Sequence, residues 1–193
     1  DANPTMSTRI IAGQRRGMII RTPRGRQTRP TLGRVRESLF MILAPRLEGA
    51  RVLDLFAGSG ALGLEALSRG AACCVFVDQA HGAIAALRAN VAQLGWRDRA
   101  EIVAHNALRW LAAPPRRPFD LILLDPPYGE ETAGRALRRL ADALDAWLAP
   151  DGVVVAQIGR RDPLDEAFGA LRAFRWESYS ETRIGFFRRA EEA

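Results

Sequence analysis

Residues 51–70 constrain the fold of this chain more than any other part of it. They begin with a short apolar run at 52–56, long enough for one buried strand. They continue through Ala57-Gly58-Ser59-Gly60 into apolar residues at helical spacing. A strand, a glycine turn and a helix in succession bring a ligand close to backbone N–H groups at the start of the helix. The stretch therefore predicts a ligand site at the end of a parallel strand.

The glycine turn also fits the dinucleotide-binding pattern G-x-G-x-x-G at 58–63, but Asp54 favours another ligand. A carboxylate inside the end of the strand is expected to face the ligand pocket, where it repels a pyrophosphate and attracts a cation. S-adenosylmethionine carries an ammonium and a sulfonium and has no phosphate. The turn therefore predicts this cofactor, and a purely structural turn capped by Asp54 is the alternative.

Positive charge is concentrated in the first quarter of the chain. All 28 basic residues are arginines, and the net charge is +6. Ten of the arginines lie in residues 1–46, together with only two acidic residues, whereas acidic residues slightly outnumber arginines in the remainder. An arginine-rich genome explains the choice of arginine over lysine, but it does not explain this asymmetry. The asymmetry predicts that the N-terminal part contacts a polyanion.

The composition excludes several classes of protein. The 193 residues suffice for one domain, no apolar run approaches membrane-spanning length, and no signal peptide is apparent. Cys73 and Cys74 are adjacent, which predicts buried thiols in a reducing cytoplasm rather than a disulfide. His81 and His105 stand apart from other metal-ligating residues, so no metal site is expected. We therefore expect a cytoplasmic protein without metal or membrane contact.

The apolar patterns alternate between strand and helix along most of the chain. A hairpin is expected over 9–12 and 18–21, followed by an extended loop over 22–33. The predicted strands are 52–56, 74–77, 101–104, 119–124, 152–158, 175–180 and 183–187. The predicted helices are 34–43, 61–68, 83–94, 106–111, 133–148 and 164–168. Strands that alternate with helices predict an α/β fold with a doubly wound, mostly parallel sheet, and the terminal pair permits one antiparallel strand.

Polar residues follow the predicted strands at the edge where such a sheet binds its ligand. Asp78 ends the second strand, where a carboxylate can accept both hydroxyls of a ribose. Asn106 follows the third strand, where its amide can read an adenine edge while the Ala107 N–H meets a ring nitrogen. For Asp78 and Asn106 alike, capping of the next helix is the alternative interpretation.

The most specific motif is Asp125-Pro126-Pro127-Tyr128 at the end of the fourth strand. The two prolines fix φ and remove two N–H donors, which leaves a rigid edge of hydrogen-bond acceptors followed by an aromatic ring. Such an edge suits a planar base with an exocyclic NH2 group. The acceptors bind the amine hydrogens and increase electron density on the nitrogen as it attacks an electrophilic methyl group, while Tyr128 stacks on the base. A proline-rich strand terminator is the alternative.

The tetrapeptide and the upstream F-x-G-x-G turn resemble those of class I S-adenosylmethionine-dependent amino-methyltransferases. Five blocks in order resemble the bacterial RsmD-like methyltransferases, which modify guanine N2 in small-subunit (16S) ribosomal RNA. The blocks are Arg9-Ile10-Ile11-Ala12-Gly13, Arg29-Pro30-Thr31, 34–40, 54–70 and 125–128. The resemblance implies a Rossmann-like, seven-stranded sheet with an antiparallel last strand. It also implies an arginine-rich N-terminal extension (9–33) before the methyltransferase domain (34–189).

The resemblance further implies the residues of the site. The cofactor contacts would be Asp54, Ala57, Gly58, Ser59, Gly60, Asp78, Asn106 and Ala107, with Thr31 near the methionine end of the cofactor. Catalysis would fall to Asp125, Pro126, Pro127 and Tyr128. The family more often has Glu at the position of Asp78, and the shorter side chain is still expected to reach a ribose.

The expected substrate is 16S ribosomal RNA within a small-subunit assembly particle, because so small an extension needs ribosomal proteins to present one guanine. The target base leaves its stack, and arginines of the extension follow the RNA phosphates. These arginines are Arg9, Arg15, Arg16, Arg21, Arg24, Arg26 and Arg29. Arg34 and Arg36 lie near the start of a predicted helix, where the helix dipole does not favour cations, and are expected to bind the phosphates beside the flipped nucleotide. We expect a monomer.

Two other functions stay open from the sequence. The same tetrapeptide serves adenine-N6 methylation of RNA or DNA, although a target-recognition domain for DNA is not evident in 193 residues. A non-catalytic RNA-binding or ribosome-assembly protein on a methyltransferase fold is the third possibility. Retention of Asp54, both turn glycines, Asp78 and Asp125 argues against it.

Overall fold

The fold is given by a computed structural model that describes residues 8–22, 30–128 and 131–190. Its strands are β1 (Thr8–Arg9), β2 (Ile19–Ile20), β3 (Arg51–Leu55), β4 (Cys73–Asp78), β5 (Ala100–Ala104), β6 (Phe119–Leu124), β7 (Leu148–Gly159), β8 (Ala167–Phe168), β9 (Leu171–Ser178) and β10 (Thr182–Arg189). Its helices are α1 (Pro30–Leu43), α2 (Ala61–Ser68), α3 (His81–Leu94), α4 (Ala107–Trp110), α5 (Thr132–Asp142) and α6 (Leu144–Trp147).

One large sheet has the strand order β5-β4-β3-β6-β7-β10-β9-β8. The first five strands of this order are parallel, and β10 returns antiparallel between β7 and β9. From β3 the chain proceeds outward to β4 and β5, and it then crosses back to β6 on the other side of β3. Ligands of such sheets bind where the strand order reverses, at the carboxyl ends of the strands. The carboxyl ends of β3, β4, β5 and β6 share that edge.

Alternate residues of each strand face opposite sides of the sheet, and a core lies on each side. On one face, Val52 and Phe76 pack with residues of α1, α2 and α3, including Leu39 and Leu64. On the other face, Leu53 packs with residues of α4, α5 and α6. Two fully packed faces explain why the parallel strands are continuous apolar runs.

The N-terminal hairpin of β1 and β2 packs tightly against α2. Ile10 and Ile20 are buried in the same core as α1 and α2. Both carboxylate oxygens of buried Glu65 accept backbone N–H groups, from Ile11 at 2.8 Å and from Ala12 at 3.0 Å. At Gly13, a Cβ atom would lie 1.9 Å from the Ser68 carbonyl oxygen, so only glycine fits this approach. The hairpin is therefore an integral part of the fold.

The predicted α/β fold with its mostly parallel sheet, antiparallel last strand and small hairpin is confirmed, and β6 and α2 have the predicted bounds. The predicted number of strands is wrong, because the large sheet has eight strands rather than seven. The additional strand is β8, in the segment 164–168 that was predicted to be helical. Phe168 pairs with Leu171 across the two-residue turn Gly169-Ala170, in which Gly169 has φ +53°. A tight hairpin therefore forms where a helix was expected.

Two further helix predictions need correction. The first helix begins at Pro30 rather than Arg34, because proline is favoured at the first helical position. The predicted domain boundary at 33/34 consequently lies inside α1. The helix predicted over 133–148 ends at Asp142, because Ala143 leaves helical geometry (φ −138°) before α6, and Leu148 already belongs to β7.

Within the described residues, no helix combines the length and apolar character needed to cross a membrane.

Candidate functional site

The glycine turn between β3 and α2 is built over a buried carboxylate. Asp54 has 1% of its surface exposed, and its Oδ2 accepts the backbone N–H of Gly63 at 2.9 Å, in the first turn of α2. The carboxylate is buried under the turn because α2 supplies a donor there. That Asp54 faces a ligand stays a prediction.

The backbone of the turn adopts conformations that side chains rarely take. Phe56 has φ +63°, and Gly58 and Gly60 also have positive φ. A non-glycine residue with positive φ costs about 1–3 kcal/mol of conformational free energy. The Phe56 ring packs against the core that contains Leu53, and this packing offsets that cost. At Gly60, a Cβ atom would lie 2.4 Å from Leu87 Cδ1. Only glycine therefore fits at position 60, where the turn packs closely against α3.

Asp78, at the end of β4, ties the glycine turn to the start of α3. Its Oδ2 accepts the Gly58 N–H and its Oδ1 accepts the Ala80 N–H, both at 2.8 Å. Asp78 is not itself the cap of α3, since that position belongs to Ala80. Each carboxylate oxygen can accept a second hydrogen bond, and the side chain is half-buried, so both oxygens can also accept hydroxyls from a ligand.

Asn106, after β5, caps α4. Its Oδ1 accepts the Arg109 N–H at 3.0 Å, and its Nδ2 donates to Gln79 Oε1 at 3.0 Å. The capping interpretation of Asn106 is therefore confirmed. Ala107 is buried at the first helical position. Adenine recognition by Asn106 and Ala107 stays a prediction.

Three carboxylates, those of Asp54, Asp78 and Asp125, gather at this edge of the sheet. Burial raises the pKa of Asp54 to about 8; the hydrogen bond from Gly63 opposes the shift, and the charges of Asp125 and Asp78 add to it. Burial is the largest cause of this shift, so the Asp54 carboxyl holds its proton near neutral pH until a nearby cation favours the ionised form. Three acidic side chains at one edge fit a cationic ligand and disfavour a phosphate.

The motif at the end of β6 combines acceptors with a partly exposed ring. Pro126 is buried, Pro127 is exposed, and Tyr128 keeps 44% of its surface exposed. The Tyr128 hydroxyl accepts a hydrogen bond from Gln157 Nε2 at 3.0 Å and lies 3.1 Å from Thr182 Oγ1. Burial raises the pKa of Tyr128, so the phenol stays neutral at physiological pH. The ring is therefore available for stacking while its hydroxyl is held by the sheet.

The predicted RNA-contacting arginines do not all lie in one environment. Arg9, Arg15, Arg16, Arg21 and Arg34 are exposed. Arg24, Arg26 and Arg29 lie outside the described residues. Thr31, predicted to precede the first helix, lies within its first turn.

Arg36 is the exception among these arginines. It has only 9% of its surface exposed, and its Nη2 donates to the Arg9 carbonyl oxygen. The expectation that Arg36 binds phosphate is therefore wrong for this conformation, because the guanidinium is used to fasten the hairpin to α1. With α1 beginning at Pro30, Arg34 and Arg36 lie in its second turn, so the helix-dipole argument for their role no longer applies.

A buried asparagine, which sequence reasoning missed, connects the extension to the glycine turn. Asn90 of α3 accepts the Arg21 N–H at 2.8 Å and donates to the Arg21 carbonyl and to the Ser59 carbonyl, both at 3.0 Å. Its position in the apolar stripe of α3, between Leu87 and Val91, was the available sign, because a polar residue there needs partners.

In the described part of the chain, no group of three or more His, Cys, Asp or Glu residues is arranged to hold a metal ion.

Comparison with known proteins identifies the family of the chain. A family model described as "Conserved hypothetical protein 95" matches residues 8–188. YlbH of Bacillus subtilis, named as a candidate rRNA methyltransferase, is 39% identical over 183 residues, which cover 94% of this chain and 98% of that protein. The ribosomal RNA small subunit methyltransferase D of Escherichia coli K12 is 39% identical over 149 residues, which cover 77% of this chain and 73% of that protein.

Solved structures give the same result for the fold. The structure of yhhF from Escherichia coli, described as a candidate methyltransferase, matches with a TM-score of 0.85 and 32% identity. The match covers 96% of this chain and 99% of that one. A hypothetical protein from Thermus thermophilus matches with a TM-score of 0.77 and 27% identity, over 94% of this chain and 99% of that one.

Proposed function

We propose the function of this chain on the basis of its family: the chain belongs to the conserved hypothetical protein 95 family, the family of the RsmD methyltransferases. Its relatives include proteins named ribosomal RNA small subunit methyltransferase D at 35–39% identity, and the chain is accordingly a methyltransferase of ribosomal RNA. The proposal is that it transfers a methyl group from S-adenosylmethionine to the exocyclic N2 amine of a guanine in 16S ribosomal RNA.

The observation that carries the proposal is the row of acceptors along the carboxyl edge of the sheet. In the spatial order of the strands, Asn106 follows β5, Asp78 ends β4, the glycine turn follows β3, and Asp125 follows β6. Along this row, Asn106 and Ala107 would hold the base of a nucleoside cofactor, Asp78 would hold its ribose, and Asp54 would face its charged end. The reacting group then lies beside Asp125, at the reversal of strand order between β3 and β6.

Each residue of the row has a role that follows from its chemistry. Asp78 accepts ribose hydroxyls while it holds the glycine turn. A ligand ammonium near the turn would favour the ionised form of Asp54 and would be stabilised by its charge. The turn of Ala57, Gly58, Ser59 and Gly60 has only small side chains, which would let a ligand approach the backbone. When bound, S-adenosylmethionine supplies an electrophilic methyl group.

The motif after β6 would bind the target base. Asp125 and the Pro126 carbonyl accept the hydrogens of the exocyclic amine, which orients the nitrogen lone pair and increases its nucleophilicity. Tyr128 stacks on the base and holds it in the plane that these acceptors require. A base within an RNA helix cannot reach this edge, so the target nucleotide must be unstacked.

The substrate class is supported by the charge of the extension. Arg9, Arg16 and Arg21 are exposed on a hairpin that packs on the same helices that flank the cofactor turn. Phosphate contacts there would provide affinity without sequence information, so ribosomal proteins or RNA structure would supply the specificity. We infer that the enzyme acts in the cytoplasm as a monomer on an assembling small-subunit particle, and size-exclusion chromatography with light scattering tests the monomer.

Product analysis tests the proposal. The protein is incubated with radiolabelled S-adenosylmethionine and small-subunit particles that lack the modification, with the naked 16S RNA in parallel, and the labelled nucleoside is identified after digestion. We expect label in N2-methylguanosine, with the particle as the better substrate. Label in N6-methyladenosine would keep the catalytic arrangement and reject the guanine assignment. Cofactor binding without any labelled product would reject the RNA substrate.

A further inference from the structure

Two buried polar residues, Gln157 and Thr182, meet at the hydroxyl of Tyr128. Gln157 lies on β7 and Thr182 begins β10, and the two have 6% and 4% of their surfaces exposed. In the register of this antiparallel pair, Gln157 lies opposite Ile184 and Thr182 lies opposite Gly159, so the two side chains are diagonal neighbours. The loop after β6 is thereby attached to two strands beyond it in the sheet.

Gln157 and Thr182 are polar residues among apolar neighbours in the interior of the sheet, so their presence there requires an explanation. Val155, Ile158 and Ile184 are all buried in the same two strands. A buried amide or hydroxyl without a partner costs free energy that an aliphatic side chain avoids. The hydrogen bonds to Tyr128, at 3.0 Å from Gln157 Nε2 and 3.1 Å from Thr182 Oγ1, supply the partner.

The hydroxyl lies at the far end of the Tyr128 ring from its backbone, so fixing it limits rotation about the first side-chain torsion and holds the ring in one place. Rotation about the second torsion turns the ring about the axis through the hydroxyl, so these hydrogen bonds do not limit it. Tyr128 as a whole keeps 44% of its surface exposed, and an exposed part of its ring is what a base would contact. A ring on a loop without such an anchor would sample several rotamers and would stack on a base in only some of them.

We propose that Gln157 and Thr182 are positioning residues that hold the Tyr128 ring in the place needed for stacking on the target base. This inference rests on the proposed function, in which Tyr128 contacts the base and Asp125 binds its amine. Neither Gln157 nor Thr182 touches the reacting atoms, and both act through the tyrosine hydroxyl. Their loss should slow methyl transfer by misorienting the base, and it should leave cofactor affinity unchanged.

A double-mutant cycle tests this role. Tyr128→Phe keeps the ring and removes the hydroxyl, Gln157→Leu removes the donor, and the double variant completes the cycle. Single-turnover rates are measured with labelled S-adenosylmethionine on particles that lack the modification, and cofactor affinity is measured by calorimetry. Because a hydrogen bond of this kind contributes about threefold to tenfold, each single variant should slow transfer by about that factor. In the Tyr128→Phe background, Gln157→Leu should have no further effect.

Thr182 provides the matched control. Thr182→Val should slow transfer to a similar degree, whereas Thr182→Ser, which keeps the hydroxyl, should retain the wild-type rate. If Gln157→Leu fails to fold, which thermal unfolding would reveal, the comparison of Thr182→Val with Thr182→Ser still tests the positioning role. A purely structural role would instead make Gln157→Leu equally harmful with and without the tyrosine hydroxyl.

The outcomes separate this inference from the proposed function. A wild-type rate for Tyr128→Phe together with a loss for Tyr128→Ala overturns the positioning role alone, as does additivity of Gln157→Leu with Tyr128→Phe. The cycle is measured on whichever nucleoside the wild-type protein labels, so a product of N6-methyladenosine rejects the guanine assignment while the cycle still decides the positioning role. No labelled nucleoside from the wild-type protein overturns both.

Discussion

At the scale of single residues, the site concentrates features that are unfavourable elsewhere in the molecule. Asp54 is a carboxylate with almost no exposed surface, and Phe56, two residues later, has a backbone conformation that costs free energy. Both lie at the junction of β3 and α2, where the cofactor is proposed to bind. Residues that lower the free energy of unfolding are expected at a ligand-binding edge, because function rather than folding determines which residues are present there.

The buried state of Asp54 predicts how the stability of the cofactor-free protein depends on pH. Its pKa is about 8 in the folded protein and about 3.9 in the unfolded chain. The folded state therefore holds the proton more tightly, so the stabilisation linked to this group is complete below about pH 4 and is lost as the pH rises to about 8. Asp54→Asn stays neutral and keeps an oxygen for the Gly63 N–H. The unfolding temperature of Asp54→Asn relative to wild type should rise over this pH range.

Thermal unfolding of the two proteins without cofactor, between about pH 5 and 9, measures this difference. A difference that is independent of pH would mean that Asp54 is ionised throughout. In the same variant, loss of the negative charge beneath the turn should weaken S-adenosylmethionine binding by about tenfold or more at about pH 8.5, since each 1.4 kcal/mol of lost interaction is a factor of about ten.

Asp125 should separate cofactor binding from transfer. Asp125→Ala removes the acceptor proposed for the amine, and loss of a group of this kind typically costs about 10²–10⁴ in rate. The dissociation constant for S-adenosylmethionine, measured by calorimetry, should stay within about twofold of wild type, because a twofold change is well under 1 kcal/mol. Asp151→Ala, an exposed carboxylate near the amino end of β7, is the control for the loss of one charge. Transfer at a near wild-type rate by Asp125→Ala would reject the catalytic assignment.

At the scale of elements, α3 connects the N-terminal hairpin, proposed to contact RNA, with the glycine turn, proposed to bind the cofactor. Asn90 joins the end of the hairpin at Arg21 to the Ser59 carbonyl in the glycine turn. One turn further along the same helix, Gln93 donates to the Ile19 carbonyl at 3.2 Å, and this bond reaches the extension alone. The two side chains thus differ in whether they also support the cofactor turn.

Replacing Asn90 should therefore affect the cofactor, and replacing Gln93 should not. Asn90→Ala leaves partly buried backbone groups of Arg21 and Ser59 without their partner, at a cost below the about 1–3 kcal/mol expected for each fully buried group. We expect a lower unfolding temperature and a weaker affinity for S-adenosylmethionine, measured by calorimetry. Gln93→Ala, whose side chain is exposed, should keep wild-type cofactor affinity. Equal cofactor affinities of the two variants would show that Asn90 fixes only the hairpin.

The bounds of helices and strands were predicted best where proline, glycine or a charged residue lies directly beside the apolar run. β6 is an apolar run that ends at Asp125-Pro126, and α2 follows a glycine turn, so both bounds were predicted correctly. The break at Ala143 carries no glycine or proline, and apolar spacing continues through it to Leu148. Leu144 and Trp147 pack in the core that contains Leu53, and this tertiary packing decides where α5 ends and α6 begins.

The same distinction applies to the site. Asp54, Asp78 and Asp125 were predicted because strand ends are recognisable from local pattern. The bridging side chains were missed because their partners are remote in the chain: Asn90 and Arg21 are separated by 69 residues, and Tyr128 and Thr182 by 54. Such pairs produce no periodicity and become visible only when the sheet order is known.

At the scale of the whole molecule, the turn of the hairpin and the catalytic edge lie near opposite ends of α3, whereas the end of the hairpin at Arg21 reaches the glycine turn. Arg15, in the hairpin turn, donates through Nε to the carbonyl oxygen of Leu94, the last residue of α3. The start of α3 lies beside Asp78 at the carboxyl edge of the sheet. A helix of 14 residues is about 20 Å long, at about 1.5 Å per residue. An RNA that contacts both regions must therefore run along the α2–α3 face rather than bind at one point.

This arrangement predicts which arginines contribute to RNA affinity. Arg16→Ala combined with Arg21→Ala removes two exposed cations from the hairpin, and Arg116→Ala combined with Arg117→Ala removes two from the loop before β6, at the amino edge of the sheet. Each lost phosphate contact should reduce the slope of log affinity against log salt by about 0.7–0.9. The hairpin pair should lower both the affinity for small-subunit particles and this slope, while the loop pair keeps wild-type values. The identity of the labelled nucleoside should be unchanged, because phosphate contacts carry no base information. Equal slopes for both double variants would mean that RNA binding follows the total charge of the protein and not the hairpin surface.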